Sequence, residues 1–254
     1  MMNSDLVLGY DLEEWKYYGR KTKIKIDISR STNSHMAICG QSRSGKSYYE
    51  KQLFARLVKA EPDGEFYFAD YKRDDSFACL RECEKYYCYE STLDALDIVY
   101  TRMKKRQSGE DDTRHFLTLI WDEYVVNISD LMGDKSTKGK KRAEKVMQQV
   151  SAILMVGISM GVRIIVTCQR ADAAVFQLGA RLNFGVIIIL GAFVKSSYDM
   201  LMPDHVEQIK TKDNKFKQGE GSMLLYGGAE LHFFKVGTVA DIKYIEELCV
   251  EALE

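Results

Sequence analysis

The sequence predicts an α/β fold: a mostly parallel central sheet with helices on both faces, closed by a C-terminal β-hairpin. Three observations predict it. From residue 36 onward, short apolar runs rich in β-branched residues alternate with stretches of helical period, the pattern of parallel strands joined by crossover helices. Gly40-Gln41-Ser42-Arg43-Ser44-Gly45-Lys46-Ser47 fits G-x-x-x-x-G-K-[ST] and falls between an apolar run and a helical pattern, the setting a phosphate-binding loop requires. A later apolar run ends in two adjacent carboxylates, Asp122 and Glu123.

The elements follow in order. Residues 23–28 alternate polar and apolar, as a half-buried strand does, and carry lysines of the kind that discourage pairing at a sheet edge. Residues 35–39 are a buried strand, and residues 47–59 place Leu53, Phe54, Leu57 and Val58 at helical spacing. A strand is expected over 65–70, a short helix near 76–80, a short strand over 86–89 and an amphipathic helix over about 91–105. Residues 116–121 form the strand before Asp122, and residues 140–160 are largely helical. Residues 162–168 and 186–190 read as fully buried strands. Residues 223–226 and 231–236 flank Gly227-Gly228 as a hairpin, and an acidic amphipathic helix over 241–254 ends the sequence. The expected organisation is an N-terminal strand and extension over 1–34, packed on a main domain over 35–254.

Bulk properties narrow the function classes. With 254 residues, 46% hydrophobic and 29% charged, the chain can bury a full core. The net charge of −1 excludes an overall basic field, so a polyanion would have to meet local patches. Cys79, Cys83 and Cys88 lack the C-x-x-C pairs of structural zinc sites, and with Cys39, Cys168 and Cys249 they read as reduced thiols. The longest apolar stretch, 153–168, is broken by Arg163 and by Gly157, Ser159 and Gly161, so no membrane segment is expected. No signal-peptide pattern opens the chain, and a cytoplasmic location follows as the expectation.

The chemistry is expected where strands end. With Gly at about 7% of average usage, chance produces the loop motif on the order of once per hundred chains of this length, so the match carries weight. Successive backbone N–H groups and the positive end of the following helix would converge on phosphates, and Gly40 and Gly45 would permit the backbone angles this needs. Lys46 would reach the β- and γ-phosphates of ATP, and the Ser47 hydroxyl would ligate Mg²⁺. Asp122 would hold the same ion, directly or through water, and Glu123 would act as general base toward the attacking water. Gln169 at the tip of its strand would sense the γ-phosphate, since a neutral amide both donates and accepts.

Here the chain resembles a family. Ser34-His35-Met36-Ala37-Ile38-Cys39-Gly40 with the lysine loop, Phe68-Ala69-Asp70-Tyr71-Lys72, Trp121-Asp122-Glu123, Gly161 through Gln169-Arg170, and Gln218-Gly219-Glu220-Gly221 are similar to the FtsK/SpoIIIE motor domain of the FtsK-HerA superfamily, in that family's order. The resemblance covers roughly residues 34–226 and is nearest to the coupling proteins of conjugative elements. It implies a RecA-like P-loop NTPase fold, ATP-driven translocation of DNA in conjugative or mobile-element transfer, and assembly as a hexameric ring. It implies a strand order in which 162–168 lies between the loop strand and the acid strand. It also implies a relaxase or membrane transfer-channel partner. Ala171 stands where the family often has proline, and Gly185 where many motors carry an arginine. The trans-acting arginine then falls to Arg170 or Arg181.

Two basic stretches are candidates for DNA: 135–145, with six cations against one acid, and 102–106, followed by the acids Glu110, Asp111 and Asp112. A solvated mobile loop is the other reading of the first, and compensation by those acids is the other reading of the second. A secretion ATPase acting on protein and a monomeric ATP-binding assembly factor remain rival functions.

Overall fold

A computed structural model describes residues 5–28, 35–113, 115–172, 182–192, 194–212 and 216–254. In chain order the elements are β1 (Asp5–Asp11), α1 (Leu12–Tyr18), β2 (Lys23–Asp27), β3 (Met36–Gly40), α2 (Lys46–Ala60), β4 (Glu65–Asp70), β5 (Tyr86–Cys88) and α3 (Thr92–Ser108). They continue with β6 (Leu117–Asp122), α4 (Tyr124–Gly133), α5 (Thr137–Val156), β7 (Val162–Cys168), β8 (Val186–Leu190), α6 (Lys195–Leu201) and α7 (Val206–Lys212). The last are β9 (Glu220–Leu225), β10 (Glu230–Lys235) and α8 (Ile242–Glu251).

Among the described residues one sheet of ten strands runs β2-β1-β10-β9-β8-β3-β7-β6-β4-β5. The block from β8 to β5 is wholly parallel. The block from β9 to β2 is antiparallel and joins it at β8. The β7 strand pairs with β3 on one side and β6 on the other, the order the family resemblance implied. The parallel block explains why its strands read as continuous apolar runs: helices cover both faces, and no side faces water.

Strand side chains alternate between two cores. On one face Ala37, Cys39, Leu119, Trp121, Ile164 and Val166 meet Leu96, Val99 and Met103 of α3, Ile128 of α4 and Val150 and Ile153 of α5. On the other, Met36, Ile38, Phe66, Phe68, Ile120 and Ile165 meet Leu53, Phe54 and Leu57 of α2 and Cys249 of α8.

Several elements differ from expectation. The sequence pattern showed only the strand of β2, but β1 precedes it with Leu6 and Leu8 buried, and pairs with both β2 and β10. Gly9 is needed there, because a Cβ would stand 2.7 Å from the Phe234 ring. Residues 75–80 form a 3-10 helix. The basic stretch 135–145 opens α5, with Ser136 as its N-cap, instead of forming a loop. Residues 29–34 of the expected extension lie outside the described residues.

Candidate nucleotide site at the carboxyl ends of the parallel strands

The loop between β3 and α2 is shaped by glycine and pinned from behind. Gly45 takes φ +94°, a left-handed conformation that L side chains resist, and a Cβ on Gly40 would sit 2.6 Å from the Ser44 hydroxyl. Ser44 N–H donates to the Gln41 carbonyl at 3.0 Å, and Gly219 N–H donates to the Ser44 carbonyl at 2.8 Å. α2 starts at Lys46 without a side-chain cap, so its first N–H groups and the positive end of its dipole stay open to an anion.

A cavity of about 360 Å³ opens over this loop. Gly40, Gln41, Ser42, Arg43, Gly45, Lys46 and Ser47 line it, while Ser44 is buried beneath. Its remaining wall is Tyr48, Asp74, Ser76, Glu123, Gln169 and Gln218. Asp122 stands behind this wall, 1% exposed.

The loop and the acid strand meet there, 76 positions apart in sequence. Lys46 Nζ donates to Asp122 Oδ1 and, at 3.1 Å, to Thr167 Oγ1, and it lies 3.4 Å from Glu123 Oε1. The Thr167 hydroxyl in turn donates to Asp122 Oδ1. Burial opposes the charge on Lys46, but Asp122, Glu50 and Glu123 outweigh it and hold the amine protonated well above its usual range. Glu123 begins α4 in the left-handed region, φ 55° and ψ 37°, which turns its side chain to the cavity wall. Its Oε2 is buried and has no hydrogen-bond partner.

Three further carboxyls or amines join this cluster. Burial, with Asp122 next to it, pushes the Glu50 carboxyl well above the usual range. Burial likewise lifts Asp70 to about 6, although Tyr86 OH donates to it at 2.7 Å. Lys72 Nζ lies 3.4 Å from Glu123 Oε1. A concentration of buried acids with open valences around one buried lysine is costly unless a ligand completes it. Ser47, Asp122 and the unpartnered oxygens nearby are the hard donors Mg²⁺ prefers, so the residues present fit that ion.

The remaining candidates are placed as follows. Gln169 lines the cavity at the end of β7, next to the exposed Arg170. Arg181 lies outside the described residues. The 102–106 stretch is structural: Arg102 pairs with Glu65, and the buried Arg106 donates to the carbonyls of His115, Met160 and Gly161 and to Asp111. Sequence reasoning passed over Thr167, Glu50, Lys72 and Gln218 as site residues. Lys72, Thr167 and Gln218 sat in the quoted motifs, and Glu50 stands one helical turn after Lys46, a signal that was available.

No protein-family model matches the sequence, and no characterised protein matches it at a significant level. Solved structures do match. The pCW3 conjugation coupling protein TcpA, in its monomer form with ATPγS, superposes with TM-score 0.73 at 18% identity, over 99% of this chain and 71% of that one. EssC (ATPases 2 and 3) from Geobacillus thermodenitrificans gives TM-score 0.70 at 13% identity, over 99% of this chain and 49% of that one. The cytoplasmic domain of the Thermomonospora curvata type VII secretion ATPase EccC gives 0.69 at 18% identity, over 98% of this chain and 31% of that one. With the glycine loop, the strand order and the acid strand in place, the chain has a P-loop NTPase fold.

Proposed function

We propose that the chain hydrolyses ATP and uses the cycle to move DNA, as one subunit of a homo-oligomeric ring in conjugative or mobile-element transfer. The observation that carries this reading is the convergence of Lys46, Thr167, Asp122 and Glu123 at the carboxyl ends of β7 and β6, under a cavity floored by the glycine loop. The loop N–H groups and Lys46 bind and orient the phosphates, with Lys46 released from Asp122 as they arrive. Ser47 and Asp122 would hold Mg²⁺, which when bound would supply charge neutralisation to the phosphates. Water attacks the γ-phosphorus, the bond to the β–γ bridging oxygen breaks, and ADP leaves with that electron pair. Glu123 takes the water's proton, and Gln169 lines the same space as a sensor. A neighbouring subunit supplies an arginine, for which Arg170 or Arg181 is the candidate.

DNA contact is best supported at the start of α5. Lys135, Lys138, Lys140, Lys141 and Arg142 are exposed, and no acid stands in the first turn of that helix. Cations at the positive end of a helix repel it, an arrangement that improves when a polyanion docks. The likeness to TcpA, a conjugation coupling protein, points the same way. A second reading has its own support: EccC (ATPases 2 and 3) has been solved with a signal sequence peptide, and this chain resembles it at TM-score 0.63. On that reading the substrate is protein.

ATP turnover measured alone, with single-stranded DNA, with duplex DNA and with peptide decides between them. Stimulation by DNA that fades steeply with salt is expected. Stimulation by peptide alone would replace the DNA motor with a secretion ATPase. No turnover under any condition, in a chain that stays monomeric with ATP and DNA, would leave an assembly factor.

A further inference from the structure

Lys72 belongs to no role assigned so far. It sits two residues past β4, in a turn whose flanks are fixed. Asp70 is fully buried, and its Oδ2 accepts from Asp74 N–H at 2.8 Å and from Tyr86 OH. On the other side of the turn Asp74 Oδ1 accepts from Ser76 N–H at 2.7 Å. Tyr71 OH donates to Asp130 of α4 at 2.8 Å, tying the turn to the helix that Glu123 starts. The Lys72 amine is thus delivered to Glu123 from a braced turn, with its side chain still 37% exposed.

The two oxygens of Glu123 differ. Oε1 lies 3.4 Å from Lys46 Nζ and 3.4 Å from Lys72 Nζ, while Oε2 has no partner. Once phosphates draw Lys46 away, Lys72 is the cation that remains on Oε1 among the described residues. A carboxylate 3% exposed and stripped of both cations would be free to swing; held by one, it keeps a single orientation with Oε2 free. We propose that Lys72 is a positioning residue for Glu123, gripping Oε1 through the cycle so that Oε2 is presented to the attacking water. This rests on the reading of Glu123 as general base.

The test compares Lys72→Met and Lys72→Arg with the unmodified chain. Turnover, KM for ATP, affinity for a fluorescent ATP analogue and the thermal midpoint without nucleotide are measured for each. Misplacing a base by about 1 Å costs on the order of 100-fold, so Lys72→Met should lower kcat by about 10- to 100-fold. KM and analogue affinity should stay within about twofold, since Lys72 acts through Glu123 and not on the phosphates. Lys72→Arg, which keeps a cation at the same place, should recover most of the rate. In nucleotide-free protein the midpoint shifts of Lys72→Met and Glu123→Gln should be less than additive when combined, because each removes the same ion pair. Unchanged kcat in Lys72→Met would overturn the proposal, as would equal losses in kcat and analogue affinity, the mark of a direct phosphate ligand. An unmodified chain that binds the analogue but shows no turnover would instead overturn the reading of Glu123 itself.

Discussion

The same central strands carry a buried ionic cluster at each end, and the two are built differently. At the amino ends Arg163, fully buried on β7, donates to both oxygens of Glu61 at 2.7 and 2.9 Å. Its guanidinium lies over the Phe116 ring at 4.3 Å, and Thr118 of β6 accepts at 3.5 Å. His35, just before β3, accepts from Ile164 N–H at 3.1 Å and stays neutral. At the carboxyl ends Lys46 faces Asp122, Glu123 and Glu50, and oxygens of Glu50, Asp70 and Glu123 have no partner. One end matches its buried guanidinium to a single carboxylate within the chain, although Arg163 Nε and His35 Nε2 have no partner. The other holds several acids against one buried lysine, Lys46, and leaves carboxylate oxygens without partners, which lowers stability unless something binds. Buried charge therefore serves structure at one end of β7 and, on the proposed function, chemistry at the other.

The sharpest way to break this contrast is to remove groups from the open end. Glu123→Gln keeps shape and hydrogen bonding but cannot take a proton. Its kcat should fall by about 10²- to 10⁴-fold, the range for a lost general base, while a fluorescent ATP analogue still binds. Lys46→Ala should lose both turnover and binding. ATP turnover retained in both variants would strip the carboxyl-end cluster of its catalytic meaning.

The amino end should answer in stability instead. Arg163→Met leaves the mostly buried Glu61 without its cation, a change that costs about 3–5 kcal/mol when the pair is buried. Urea unfolding would show this as a lower midpoint. Adding Glu61→Leu should restore most of the loss, because an apolar pair of similar volume replaces a satisfied ion pair at little net cost. A double variant as unstable as Arg163→Met alone would mean that the pair does more than hold the strand ends together.

Legibility in the sequence followed this division. β3, the glycine loop and α2 could be read directly, because the loop motif fixes its own neighbours: a strand must deliver it and a helix must receive the phosphates. β6, β7 and β8 were readable as buried parallel strands from their unbroken apolar runs. The meeting of Lys46 with Asp122 was legible too, since both serve one metal-bound phosphate in the motif's chemistry. α4 was not. Its sequence, Tyr124-Val125-Val126-Asn127-Ile128-Ser129, is rich in β-branched residues, and it is helical because Glu123 turns the chain and Val125 and Ile128 find a buried face. Lys72, Thr167 and Gln218 escaped for a different reason. Each reaches the site through tertiary pairing, Gln218 by way of Gly219 N–H on Ser44, and no local pattern encodes that. Arg163 was read as a blemish in an apolar run, though its period-2 position on β7 sets it beside Thr118 of β6.

The smallest predicted effect separates the two ends by pH. Burial, followed by the nearby Arg163 charge, lowers the His35 pKa from the usual 6.5 to about 3 in the folded chain. Between those values the unfolded chain binds a proton that the folded chain refuses, so stability falls as pH drops from about 6.5 toward 3. At pH 5 the loss from this group is about 2 kcal/mol, from roughly 1.4 kcal/mol per pH unit. Other carboxylates titrate in the same window, so the comparison must be with His35→Asn, which keeps an acceptor for Ile164 N–H and cannot titrate. Unfolding midpoints of the two proteins should converge as pH falls from 7 to 5. Parallel curves would show that His35 is not held neutral, and the amino-end cluster would then be no better closed than the carboxyl-end one.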